Sequence, residues 1–178
     1  MDLIQKLEEI SSTIQAEFGT LNLSQLNWKA NPNAWSIGQC IDHLIVSNEQ
    51  YFPAFEKVVT GKYKMTFWEK NNPLTSYTGN QMIKTLGPVV VKKFQSPKLF
   101  LPSQSSIKQS IIDSFIEHQN KLIKYFTLLS DSKFEKTVIT SPVAALLTLK
   151  LKDAMTILTV HEERHLDQMK RIKSQLTD

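Results

Sequence analysis

Two pairs of amphipathic segments flank a long stretch, Gly61 to Gln104, that keeps no hydrophobic period and is broken by Pro73, Gly79, Gly87, Pro88, Pro97 and Pro102. A connection of that length inside a small domain is a crossover or a functional element rather than slack. Short links hold neighbouring helices antiparallel, whereas a long one lets its two helices run the same way. The expected fold is therefore all-α: a four-helix bundle, up-down-down-up, with a long crossover connection between helices 2 and 3. One short helix is expected within the crossover near Asn80 to Leu86. Phe67, Trp68 and Tyr77 are too apolar for a free linker, so part of the crossover should fold over the end of the domain.

The four helices follow from period and caps. Leu3, Leu7, Ile10, Ile14 and Phe18 recur at helical spacing, Asp2 with Gln5 offers a cap, and Gly19 ends the run. A loop from Leu21 to Trp35 comes next. Ser36 with Gln39 is a capping box, and Trp35 before it can pack back as a staple. That box opens a second helix to about Thr60, kinked at Pro53 because proline removes a ladder donor. Ser106 with Gln109 predicts the start of a third helix, whose inward face (Ile112, Phe115, Gln119, Leu122, Ile123, Phe126) runs to about Leu129. Residues 131–147 look irregular, and a fourth helix covers about Leu149 to Gln175.

With 178 residues the chain reads as one domain, 1–178, large enough to bury a core without staples. Its net charge of +4 is spread among acidic residues. The densest basic cluster, Lys170, Arg171 and Lys173, ends the last helix, where cations complement the dipole, so nucleic acid is not an expected partner. Cys40 is the only cysteine, which excludes an internal disulfide and suits a reducing compartment. No apolar run approaches the ~18 residues of a membrane span, and the first residues lack a signal-peptide pattern. The expectation is a cytoplasmic protein away from membranes.

The chemistry sits in Val160-His161-Glu162-Glu163-Arg164-His165-Leu166. Histidines four apart stand one above the other on a helix and can grip one ion. Both belong to the apolar stripe Ala154, Leu158, His161, His165, Met169, Ile172, so they look inward, either as metal ligands or as packed core histidines. If helices 2 and 4 are antiparallel, His43 lies ~10 Å from the shared end and the pair ~15–20 Å, so three imidazoles reach about one level. Three ligands leave a coordination position open, the pattern of a catalytic site. Glu162 is the candidate general base, or else a solvated residue about 100° round the helix from His161. The string His-Glu-x-x-His occurs in zinc proteases, but their extended form needs Gly and His where this chain has Gln168 and Arg171. Cys40 reads as a small buried hydrophobe or a fourth ligand, His118 as a surface-edge residue, and Gln168 as a partner for a ring or a water. Trp35, Phe67 and Trp68 are candidates for a pocket mouth.

Trp35-Ser36-x-x-Gln39-x-x-x-His43-Leu44 followed by His161-Glu162-x-Arg164-His165-Leu166-x-Gln168 resembles the DinB-like (YfiT-like) superfamily of metal-binding helical bundles. The resemblance implies one divalent transition metal, zinc or nickel, on His43, His161 and His165. It also implies a metal-dependent hydrolase, or a transferase using a low-molecular-weight thiol, acting on a small-molecule substrate, and a possible homodimer. A non-catalytic metal-binding bundle for stress response or ligand capture is the other reading.

Overall fold

The structure is a computed structural model and describes residues 2–89 and 96–176. Residues 90–95 of the crossover lie outside the described residues. Four long segments make the bundle: α1 (Leu3–Phe18), α3 (Ile37–Glu49) continued by α4 (Phe52–Val59), α7 (Ile111–Leu129) and α8 (Leu151–Lys173). Between α1 and α3 lies a short helix, α2 (Leu23–Asn27), and the crossover carries α5 (Phe67–Asn71), α6 (Thr75–Leu86) and a 3-10 turn at Lys98–Phe100. α1 and α3 each pack on both α7 and α8, which gives a four-helix bundle as expected. Lys6 pairs with Glu163 at 2.7 Å and Glu17 with Lys170 at 3.2 Å, so α1 and α8 run in the same direction.

Several boundaries depart from the expectation, each for a local reason. The second segment is two helices, not one kinked helix: the break falls at Gln50 and Tyr51, and Pro53 stands in the first turn of α4, where its missing N–H is not needed. Asn22 and Gln25 form a complete capping box for α2, a signal of the same kind as Ser36 and Gln39, whose box on α3 is present as expected. Asp2 flanks α1 but its side chain makes no cap bond. α7 starts after Ser110, without the expected box, because Gln109 instead donates to the Leu21 carbonyl at 2.7 Å and ties the loop before α2. The stretch after α7 is not wholly irregular. β1 (Val138–Thr140) pairs antiparallel with β2 (Thr148–Lys150), placing the fully buried Ile139 opposite Leu149.

The crossover folds over the bundle more extensively than one short helix. α6 begins at Thr75 and lies against α8, and Gly79 is what allows the approach: a Cβ there would meet the Asp153 carboxylate at 2.4 Å. Phe67 and Tyr77 nevertheless stay 81% and 63% exposed, so their apolar character is not what holds the crossover down.

The interior is two apolar clusters with a polar layer between them. One gathers Leu7, Phe55, Leu122, Phe126 and Leu158; the other Ile14, Phe18, Ile41, Leu44, Phe115 and Met169. Each large apolar side chain fully buried in this way contributes about 1.5–3 kcal/mol. Between Leu44 and Tyr51 comes Asn48, between Phe115 and Leu122 comes Gln119, and between Leu158 and Met169 comes Glu162, and none of these three is exposed at all. They interrupt the apolar stripes of α3, α7 and α8 at one level.

His118 is not the surface-edge residue expected. It is buried and its ring stacks on Phe52 at 5.1 Å. Burial first, and then the Lys121 ammonium, push its pKa down to about 4. The unfolded chain takes up that proton near the ordinary value of 6.5, so stability is lost as pH falls from 6.5 toward 4 and is unaffected above 6.5. We expect wild type, relative to His118→Gln, to lose about 3 kcal/mol between pH 7.5 and pH 4, measured by urea denaturation. Parallel curves for the two proteins would contradict it.

Candidate metal centre

His43 enters the bundle from α3, and His161 and His165 enter from α8, one turn apart. The capping box of Ser36 and Gln39 fixes where α3 starts and hence the level at which His43 stands. Opposite it, Asn48 reaches Glu162, which sets the antiparallel register of α3 against α8. The Nε2 atoms of His43 and His161 are 3.3 Å apart, and those of His165 and His161 are 3.1 Å apart. One ligand atom from each of the three lies within 4.8 Å of the others. Nitrogens placed tetrahedrally at 2.0–2.1 Å round a common ion are about 3.3 Å from one another. The donor set therefore has the dimensions of a metal site.

The tautomers point the same way. His43 Nδ1 donates to the Phe100 carbonyl, with the Ser47 hydroxyl oxygen 3.3 Å away, so its Nε2 carries a lone pair. A neutral His161 Nε2 is either a donor or an acceptor. As a donor it shares one hydrogen between two neighbours; as an acceptor it faces the His43 lone pair. No set of neutral tautomers gives each contact its own hydrogen, whereas one cation satisfies all three lone pairs. Protonation is not the substitute. Burial lowers His43 to about 4 against the opposing pull of the Phe100 carbonyl and Asp42. Burial, then His43 and Arg164, lowers His165 to about 3. Burial and the two other rings hold His161 well below the ordinary imidazole value.

The crossover supplies part of this arrangement. Its 3-10 turn ends at Phe100, whose carbonyl orients His43, and the Ser103 hydroxyl donates to Asp42 at 3.0 Å, fastening the turn to α3. Trp35 packs on two of the rings, with centroids 4.7 Å from His43 and 6.0 Å from His165. The three histidines and Trp35 line a cavity of about 1220 Å³ that α6 roofs with Met82, Thr85 and Leu86.

Among the other expected residues, Gln168 lines the cavity, but Phe67 and Trp68 do not; Trp68 instead donates to the Leu146 carbonyl at 3.1 Å. Cys40 is fully buried outside the histidine cluster, and burial pushes its thiol up to about 12, so it stays a neutral hydrophobe. Glu162 is not the solvated residue it could have been. It is fully buried in the polar layer, accepting from Asn48 Nδ2 at 2.7 Å and Gln119 Nε2 at 2.5 Å, and it is outside the cavity lining. Burial raises its carboxyl to about 7 even with both amides opposing. With its oxygens engaged in the core, its visible work is to hold α3, α7 and α8 in register beneath the histidines. The Phe100 carbonyl had no signal in the sequence, since a backbone atom does that work. Asn48 and Gln119 did have one, as polar residues at inward positions.

Removing one of these amides leaves a buried carboxylate short of a donor. Asn48→Ala should cost roughly 1–3 kcal/mol in chemical denaturation, while a surface substitution such as Glu8→Ala on α1 stays within about 0.5 kcal/mol. Equal, small losses for both would show that the Asn48–Glu162 bond contributes nothing.

No curated protein sequence matches this chain. Among solved structures, the chain is similar to YfiT from Bacillus subtilis, described as a probable metal-dependent hydrolase with an unusual four-helix bundle topology. The TM-score is 0.60 at 15% identity, over 97% of this chain and 85% of the other, a likeness of fold. The family profile of the DinB superfamily matches residues 6–169, a span that contains all three histidines. The chain belongs to the DinB superfamily.

Proposed function

We propose that the chain is a metal-dependent enzyme in which His43, His161 and His165 hold one divalent transition metal, zinc or nickel, at the wall of the cavity, and that it hydrolyses a small-molecule substrate. The observation that carries this reading is the convergence of three imidazole nitrogens, within 4.8 Å of one another, beside a cavity of about 1220 Å³. A structural site closes its coordination sphere with four protein ligands, whereas three ligands facing a cavity leave room for a reactant. The description of YfiT as a probable metal-dependent hydrolase supports the same class. A metal held by these residues would supply Lewis-acid activation of water near neutral pH or stabilise a thiolate, so transfer to a low-molecular-weight thiol would use the same three ligands.

The chain's own residues prepare the site. The Phe100 carbonyl fixes the His43 ring and its tautomer, and burial keeps the imidazoles neutral and available as ligands. Trp35 and Phe100 give the cavity apolar walls beside the rings, which lowers the local dielectric around any charge that develops there. Tyr51 also lines the cavity, and burial raises its hydroxyl to about 12, so it stays neutral there.

Equilibrium dialysis with zinc or nickel should find one ion per chain. His161→Ala should weaken binding by more than the 10–100-fold typical of losing an outer-shell partner, and abolish turnover of ester or amide panels and of electrophile–thiol pairs. Turnover that survives His161→Ala would overturn the reading. A metal that raises the melting temperature with no turnover of either panel would favour ligand capture without catalysis. The pH dependence is a separate check. Protons compete with the ion only near the folded pKa values, about 4 for His43 and about 3 for His165, so affinity should be flat from pH 7 to 5 and fall below about 4.5. An exposed histidine site would lose affinity from about pH 6.5 downward.

A further inference from the structure

The cavity beside the histidines has a one-sided charge. Among its described lining residues the charged side chains other than the imidazoles are Lys98, Arg164 and Arg171, and none is Asp or Glu. The chain as a whole carries 17 acidic residues against 21 basic ones, so a lining drawn from its average surface would hold both signs. None of the three cations has a carboxylate partner among the described residues. The rest of the wall is largely apolar, with Trp35, Met82, Leu86, Phe100, Leu158 and Ile172.

Arg164 is the cation placed to matter. It lies on α8 between His161 and His165, and it is half-buried. One of its guanidinium N–H groups donates to the Thr85 carbonyl of α6 at 2.8 Å, which holds the fork in place and leaves its remaining donors without an acceptor among the described residues. A half-buried, pre-oriented guanidinium with spare donors matches an oxyanion in two-point fashion. Lys98 and Arg171 are exposed at the rim, where they attract an anion without gripping it.

We propose that the ligand of this cavity is an amphiphile of metabolite size. Its oxyanionic head, a carboxylate or a phosphate, is bound by Arg164, and its apolar body lies along Trp35, Met82 and Leu86. The proposal rests on the metal-dependent reading for the identity of this ligand as substrate, but not for its binding.

Calorimetric titration of the full chain, once loaded with zinc and once stripped, with 4-phenylbutyrate, phenyl phosphate and the neutral 4-phenylbutanamide tests it. A charge-assisted pair predicts that one of the two acids binds about tenfold or more tighter than the amide, in both forms of the protein. Whichever acid binds tighter identifies the head. The preference should fall below about threefold in Arg164→Gln and persist only in part in Arg164→Lys, which keeps the charge but not the two-point fork. Equal binding of acid and amide, or a preference that survives Arg164→Gln, overturns the proposal. So does a preference seen only with zinc, because the ion rather than Arg164 would then hold the head. If Arg164→Gln melts out, the exposed double variant Lys98→Gln/Arg171→Gln decides. It should bind the acid more weakly and with a shallower salt dependence, and unchanged binding would refute the charge account. Zinc binding without acid preference sinks this proposal alone, and acid preference without zinc binding sinks the metal reading alone.

Discussion

Three imidazoles, two buried and one half-buried, bring their ring nitrogens together, and most of what is unusual in this chain follows from having to hold them there. Neutral rings at that spacing cannot hydrogen-bond one another consistently, and burial keeps them from resolving the conflict by taking up protons. A packed apolar layer at the same level would be the more stable arrangement for a bundle of this size. The chain instead carries an interrupted core, with the polar layer of Asn48, Gln119 and Glu162 and the histidines separating two apolar clusters. The histidines stand at the wall of the cavity, and the polar layer lies beneath them in the core.

The crossover shows how far that organisation reaches. A bundle needs only enough chain to return from one end to the other, yet here the connection roofs the cavity with α6 and orients His43 through a backbone carbonyl. Gly79 lets α6 settle on α8, and Arg164 then ties α6 to the helix that carries two of the histidines. The site is thus built by both the bundle and its longest connection.

Much of this was legible in the residues. Helical period gave the four long helices, the Ser36–Gln39 box fixed the start of α3, and two histidines on an apolar stripe demanded an explanation that a third, His43, completed. What period and caps could not give was set by tertiary contact. Gln109 makes the bond of a loop anchor rather than a cap. Pro53 starts a helix because the chain had already broken before it, a choice that local propensity leaves open. Phe67 and Trp68 were candidates for a pocket mouth or for packing, and they lie away from the cavity. The solvated alternative for Glu162 fails because an angular offset from His161 looks like exposure only when nothing packs on that face, and here α3 and α7 both do. Arg164 was legible only as a motif position, because its bond to the Thr85 carbonyl of α6 is a tertiary contact that a sequence does not display.

X-ray absorption at the edge of a bound zinc or nickel ion tests the central claim most directly. The account predicts three imidazole nitrogens at about 2.0–2.1 Å with the remaining scatterers light oxygens, and loss of one imidazole shell in His43→Ala. A spectrum with sulfur from Cys40, with fewer than three imidazoles, or unchanged by His43→Ala would contradict it.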